Sequence, residues 1–185
     1  MRSSAASDVY KRQADSFDFD SVPFVKQAYN EKKWAFVADY VRLYALYTEG
    51  GIYLDSDVRT FKSFDSFLYN DFFIGTEPLP NNCVELESAI MGAIKGHPYV
   101  KECLDYYRQI NFRKENGEIF ATCPIIMTSI AEKYGYVAKD ENQLLEANIQ
   151  VYSRKYFGHL WGTNPGQLYA IHYFNASWLE SKHGW

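Results

Sequence analysis

Two aspartates one residue apart, Asp55 and Asp57, stand directly after a short apolar run, Ile52-Tyr53-Leu54. That run reads as a buried strand, and in open α/β sheets ligands gather beyond the carboxyl ends of the strands. Carboxylate oxygens there suit a hard divalent cation, Mn2+ or Mg2+. Such a cation keeps several waters and bridges to substrate phosphates instead of filling an all-protein cage. The matching chemistry is departure of a nucleoside diphosphate, whose developing negative charge the metal neutralises. An Asp-x-Asp triplet in a solvated loop is commonplace, so the triplet alone leaves both readings open. Upstream, Asp39 and Arg42 lie three apart and share one helix face. They fit a surface ion pair worth under about 1 kcal/mol. They equally fit a clamp in which carboxylate and guanidinium bond sugar hydroxyls.

The elements that must position these groups follow from periodicity. Trp34 to Glu49 repeats apolar residues at Val37, Tyr40, Val41, Tyr44 and Ala45, the spacing of an amphipathic helix. Gly50-Gly51 supplies the left-handed backbone that ends it. The order is therefore helix, glycine turn, strand, acidic loop. Further helices are expected over Val22–Glu31, with Phe24, Val25, Ala28 and Tyr29 on one side, and over Phe61–Tyr69, with Phe64, Phe67 and Leu68 inward. Two more are expected over Tyr99–Gln109, opened by Pro98, and Pro124–Tyr134. Strands are expected over Asp71–Thr76, Asn148–Tyr152 and Tyr169–Phe174. Ser88–Ile94 fits strand or helix. Glu77–Asn82 and Gly158–Gly166 read as loops. Strands alternating with helices indicate α/β.

Composition narrows the function classes. The chain has 185 residues, suiting one domain; 47% are apolar and 23% charged. Its net charge of −4 and lack of a basic patch argue against nucleic acid as a partner. The 18% aromatic share could build a core or stacking surfaces for sugars and bases. Cys83, Cys103 and Cys123 form no CxxC pair and read as small buried hydrophobes in a reducing compartment. No apolar run approaches the roughly 20 residues of a transmembrane helix. The opening MRSSAASDVYKRQ resembles a cloning- or sequencing-derived leader, so residues 1–13 are set apart from a domain over residues 14–185.

The run Trp34-Ala-Phe-Val-Ala-Asp39-Tyr-Val-Arg42, continuing through Leu46-Tyr-Thr-Glu-Gly50-Gly51-Ile-Tyr-Leu-Asp55-Ser-Asp57-Val, resembles the sugar-binding region of glycosyltransferase family 32. That family includes bacterial capsular polysaccharide and lipopolysaccharide enzymes. Weaker similarities run through Gly92-Ala-Ile-Lys-Gly96-His97-Pro98, Ala121-Thr-Cys-Pro124 with Thr128, and Ile171-His172-Tyr-Phe-Asn-Ala-Ser177-Trp178. The resemblance implies a GT-A-like fold, a single Rossmann-like domain with a mixed, mostly parallel sheet. It also implies that Asp39 and Arg42 contact the donor sugar, that Asp55 touches sugar or ribose, and that Asp57 binds metal and diphosphate. His172 corresponds to a position near the diphosphate and the metal, with Ser177 and Trp178 closing over it. A satisfied strand histidine and a core tryptophan are the plainer readings of His172 and Trp178. Asn175-Ala-Ser177 is also a glycosylation sequon, but it falls inside the matched motif. Family members usually begin with a strand of the type Ile-Pro-Lys-Ile-Ile-His, and nothing like it precedes Phe17. N-terminal truncation is therefore expected, with an exposed sheet edge.

The function so implied is retaining transfer of a sugar from a UDP- or GDP-sugar to a glycan or lipid-linked acceptor in surface polysaccharide synthesis. A cytoplasmic location is expected, with the inner membrane face as a peripheral site of action. A haloacid-dehalogenase-type phosphatase also places Asp-x-Asp after an apolar strand. That motif wants Thr or Val two residues beyond the second Asp, where Arg59 stands here, and no later Gly-Asp pair completes its metal site. A non-catalytic nucleotide-sugar-binding module, or an inactive fragment, is the remaining alternative.

Overall fold

Helix ends and strand lengths follow the punctuation of the chain closely. The computed structural model describes residues 18–79, 83–158 and 166–173. After a 3-10 turn at Phe19–Ser21, Pro23 opens helix α1 (Pro23–Asn30), which buries Phe24, Val25 and Ala28 while Tyr29 stays exposed. Helix α2 (Trp34–Glu49) spans the expected residues. It is buried on more than one side, because Phe36, Leu43 and Leu46 join Val37, Tyr40 and Val41 in the core. Helices α3 (Pro98–Tyr107) and α4 (Cys123–Ala131) each carry Pro in the first turn, where the missing N–H costs no bond.

The main sheet has five strands: β1 (Gly51–Leu54), β3 (Phe72–Pro78), β4 (Val84–Ala93), β5 (Gln143–Leu145) and β6 (Ile149–Tyr152). Their order is β1-β4-β3-β6-β5. A small sheet joins β2 (Val58–Thr60), β8 (Ala170–His172) and β7 (Phe157–Gly158), in the order β2-β8-β7. The expected α/β class with a mixed sheet is present and compatible with a GT-A-like domain. Parallel pairing among the described strands is confined to β3 with β6 and β7 with β8. The link from β3 to β4 is too short for a crossover, so these two can only run antiparallel. The same pairing settles Ser88–Ile94 as strand.

Alternation along the strands splits the core in two. Phe72, Ile74 and Met91 belong to the core cluster that also holds the buried residues of the helices, while Phe73 and Ile90 belong to a second cluster with Phe67, Phe157 and Ala170. Both faces of β3 and β4 are thus covered, which explains their nearly unbroken apolar runs.

Four local expectations are corrected. Ile52 and Leu54 are each 36% exposed, because β1 lies at the margin of the sheet and pairs only with β4 among the described strands. Phe61–Tyr69 is no helix: it holds only the 3-10 turn Asp65–Phe67, and Leu68 points outward. Phe64 and Phe67 pack into the aromatic cluster with Phe73 and Phe157, while Phe61 and Tyr69 are exposed, so no helix stripe forms. Cys83 is exposed, unlike the buried Cys103 and Cys123. Strands β2, β5 and β7 have two to three residues of their own, too short to show a period.

Candidate metal and donor site

The site is built where three short pieces of backbone meet. Gly50 and Gly51 both take positive φ, +73° and +99°, and turn the chain from α2 directly into β1. At the end of β1 the Asp55 N–H donates to the Ala89 carbonyl (2.9 Å), and the Val58 N–H closes a tight turn onto the Asp55 carbonyl (3.0 Å). That turn carries Asp57. The Tyr173 N–H donates to the Asp57 carbonyl (3.2 Å), and Val58 pairs with His172 across β2 and β8. The ladder therefore sets His172 beside Asp57.

The partner strand β4 is irregular at this point. Ile74 pairs with Met91 but Gly75 pairs with Glu87, so Ser88, Ala89 and Ile90 bulge out of the β3 ladder. Bulges bend a strand and re-aim its side chains, and they recur beside functional sites. Here the bulge offers the Ser88 carbonyl to Arg42 and the Ala89 carbonyl to Asp55.

Asp55, Asp57 and His172 each offer one ligand atom, and these atoms lie within 4.8 Å of one another. His172 Nε2 is 3.2 Å from Asp57 Oδ1, and its Nδ1 is 3.2 Å from Glu87 Oε1. Two carboxylates and one imidazole, all part-buried, fit a divalent cation of the Mn2+ type in donor chemistry. Asp55 and Asp57 therefore do not stand in a solvated loop: the β2–β8 ladder brings a strand histidine to them. Burial alone pushes His172 down, but the Glu87 carboxylate beside its Nδ1 and the charges of Asp57 and Asp55 outweigh it and raise its pKa.

Arg42 is no surface residue. Its side chain is 8% exposed and Asp39's is 13%. Arg42 Nη2 lies 3.1 Å from Asp39 Oδ1, and its Nη1 lies 3.4 Å from Asp55 Oδ2. Nη1 also donates to the Ser88 carbonyl (3.0 Å) and hydroxyl (3.3 Å). The guanidinium sits 4.9 Å from the centre of the Tyr53 ring, and the Tyr53 hydroxyl donates to Asp55. Burial pushes the Asp39 carboxyl up to about 6, against the opposing pull of Arg42 and of the Cys123 N–H at the start of α4. On β3, Glu77 is pushed up to about 7, first by burial and then by the charge of Glu87.

Of the residues singled out from sequence, Asp39, Arg42, Asp55, Asp57 and His172 come together in one place. Ser177 and Trp178 lie outside the described residues. Thr128 accepts from the Leu86 N–H (2.8 Å), and His97 contacts the Ala147 carbonyl (3.0 Å) while packing on Phe72; both hold the frame. Sequence reasoning missed Tyr53, Ser88 and Glu87. Glu87 left a trace: it is an acid inside a strand that is otherwise apolar from Leu86 to Ala93, apart from Ser88.

Residues 5–74 match the glycosyltransferase sugar-binding region containing a DXD motif. The match takes in Asp39, Arg42, Asp55 and Asp57 and supports a glycosyltransferase family and a glycosyltransferase-type function for this chain. It begins within residues 1–13 and ends before His172. No curated protein matches the chain. Among the described residues no helix is long and apolar enough to cross a membrane.

Proposed function

We propose that this chain is a metal-dependent glycosyltransferase of family 32 that moves a hexose from a UDP- or GDP-sugar to a glycan or lipid-linked acceptor. The observation that carries the reading is the approach of Asp55 and Asp57, both inside the matched region, and His172 to within 4.8 Å of one another. Asp57 and His172 would hold Mn2+ or Mg2+, with Asp55 the third ligand, and the imidazole nitrogen favours Mn2+. The bound cation would supply charge neutralisation for the departing diphosphate.

The chain's own residues do the remaining work. Arg42 spends its donors on Asp39, Asp55 and Ser88. Its part is therefore to hold two carboxylates in place, and Asp39 and Asp55 accept hydrogen bonds from the donor sugar. Ser177 and Trp178, by resemblance, close over the diphosphate. Retention needs no covalent nucleophile if the leaving phosphate takes the acceptor's proton on the front face. Capsular or related surface polysaccharide synthesis in bacteria, on the cytoplasmic side of the inner membrane, is the setting this reading assigns.

A screen of UDP- and GDP-sugars by calorimetry and by donor hydrolysis, with and without Mn2+, tests it. Asp57→Ala is expected to abolish Mn2+-dependent hydrolysis. Full turnover in that variant removes Asp57 from the mechanism. Tight donor binding with no hydrolysis or transfer in the parent chain favours a non-catalytic binding module.

A further inference from the structure

Glu87 is at odds with its surroundings. It is 5% exposed on a strand that is otherwise apolar from Leu86 to Ala93 apart from Ser88, and among the described residues its Oε2 has no hydrogen-bond partner. A buried carboxylate with an unpaired oxygen is unfavourable, and an apolar residue of similar volume would be tolerated or preferred there. Packing therefore gives no reason for an acid at this position. Its other oxygen gives one. Oε1 accepts the Ala89 N–H (2.9 Å) and faces His172 Nδ1 at 3.2 Å. The Ala89 bond pins the carboxylate to the bulge that also receives the Asp55 N–H. The remaining ring nitrogen, Nε2, faces Asp57.

We infer that Glu87 is a positioning residue: it accepts the Nδ1 proton of His172 and so keeps the Nε2 lone pair turned toward Asp55 and Asp57. A metal-binding histidine whose second nitrogen is held by a carboxylate keeps one tautomer and one ring orientation. This inference rests on the cation-binding reading of the site above.

The test uses the full chain and three proteins: the parent, Glu87→Gln and Glu87→Leu. Long-range proton–nitrogen NMR on the metal-free protein, at alkaline pH where the ring is neutral, reads the His172 tautomer. Titration with Mn2+ alone reads affinity, and thermal melting reads stability. The parent is expected to carry its proton on Nδ1. Glu87→Leu is expected to melt no lower than the parent, to lose that tautomer, and to bind Mn2+ about 10–100-fold more weakly. Glu87→Gln keeps an acceptor oxygen and is expected to keep the tautomer and lose less affinity. A parent ring protonated on Nε2 overturns the inference, whether or not the leucine variant folds. So does a leucine variant with unchanged tautomer and Mn2+ affinity. A parent that holds the Nδ1 proton, loses it in Glu87→Leu, and yet binds no Mn2+ supports the coupling of Glu87 to His172 and removes the cation from the site.

Discussion

Asp39 shows how one part-buried side chain can hold a site and make it pH-sensitive at the same time. Its carboxyl lies against Arg42 at 3.1 Å, yet burial still raises it to about 6 from the ordinary 3.8. Between those two values the folded chain holds a proton that the unfolded chain has released. Stability is therefore expected to fall as pH rises through that window and to stay low above it. About two pKa units correspond to at most about 3 kcal/mol. Chemical denaturation across the window measures the slope, and Asp39→Asn should flatten it. A slope that survives in Asp39→Asn assigns it to other groups. The Asp39–Arg42 spacing was visible in the sequence; the burial that changes its meaning was not. Three-residue spacing looks the same on a solvated helix face as on one packed under a sheet.

At the scale of elements, the junction between α2 and β1 was the most legible part of the chain. An apolar period of 3.6, then two glycines, then an apolar run and an acid specify helix, reversal, strand and loop. Gly50 sits at φ +73° and ψ −167°, a region open essentially to glycine alone. A Cβ there would stand 2.8 Å from the Lys95 nitrogen and 3.1 Å from the Ala93 carbonyl oxygen. Gly50→Ala is expected to cost about 1–3 kcal/mol or more and to weaken Mn2+ binding, because β1 carries Asp55. Gly51 has positive φ but open space around its Cβ, so Gly51→Ala should cost less. Urea midpoints for the two variants make the comparison, and equal losses would discard the steric argument. The bulge in β4 had no such signal. Ser88-Ala89-Ile90 holds no glycine or proline to mark it, and the different registers with β1 and β3 put the extra residues out of the β3 ladder.

For the molecule as a whole, the site depends on two cores meeting across one sheet. The helix-side core fixes Asp39 and Arg42. The aromatic cluster on the other face supports the small sheet that delivers His172. Phe67 is the hub of that cluster, with ring contacts to Phe64, Phe73, Tyr152, Tyr156, Phe157 and Tyr169. Phe67→Ala is expected to cost about 3–5 kcal/mol. It should also lower Mn2+ affinity, though Phe67 ligates nothing. Denaturation and Mn2+ titration on the same sample check both effects. Unchanged affinity beside a large loss of stability would mean that the β2–β8 ladder alone positions His172.

Sequence alone determined what depends on local spacing: the long helix, its glycine stop, the α/β alternation, and a carboxylate pair with an ion-paired helix face just upstream. These are properties of neighbouring residues, and backbone sterics and side-chain period enforce them wherever the chain lies. Tertiary structure decided the rest. It moved β1 to the sheet margin, reduced Phe61–Tyr69 to a single turn, and turned the Asp39–Arg42 pair inward. It also brought His172 and Glu87 to the aspartates from strands far along the chain. Those outcomes hang on which strands pair and in what register, and pairing is settled by competition for burial between segments that carry no mark of one another.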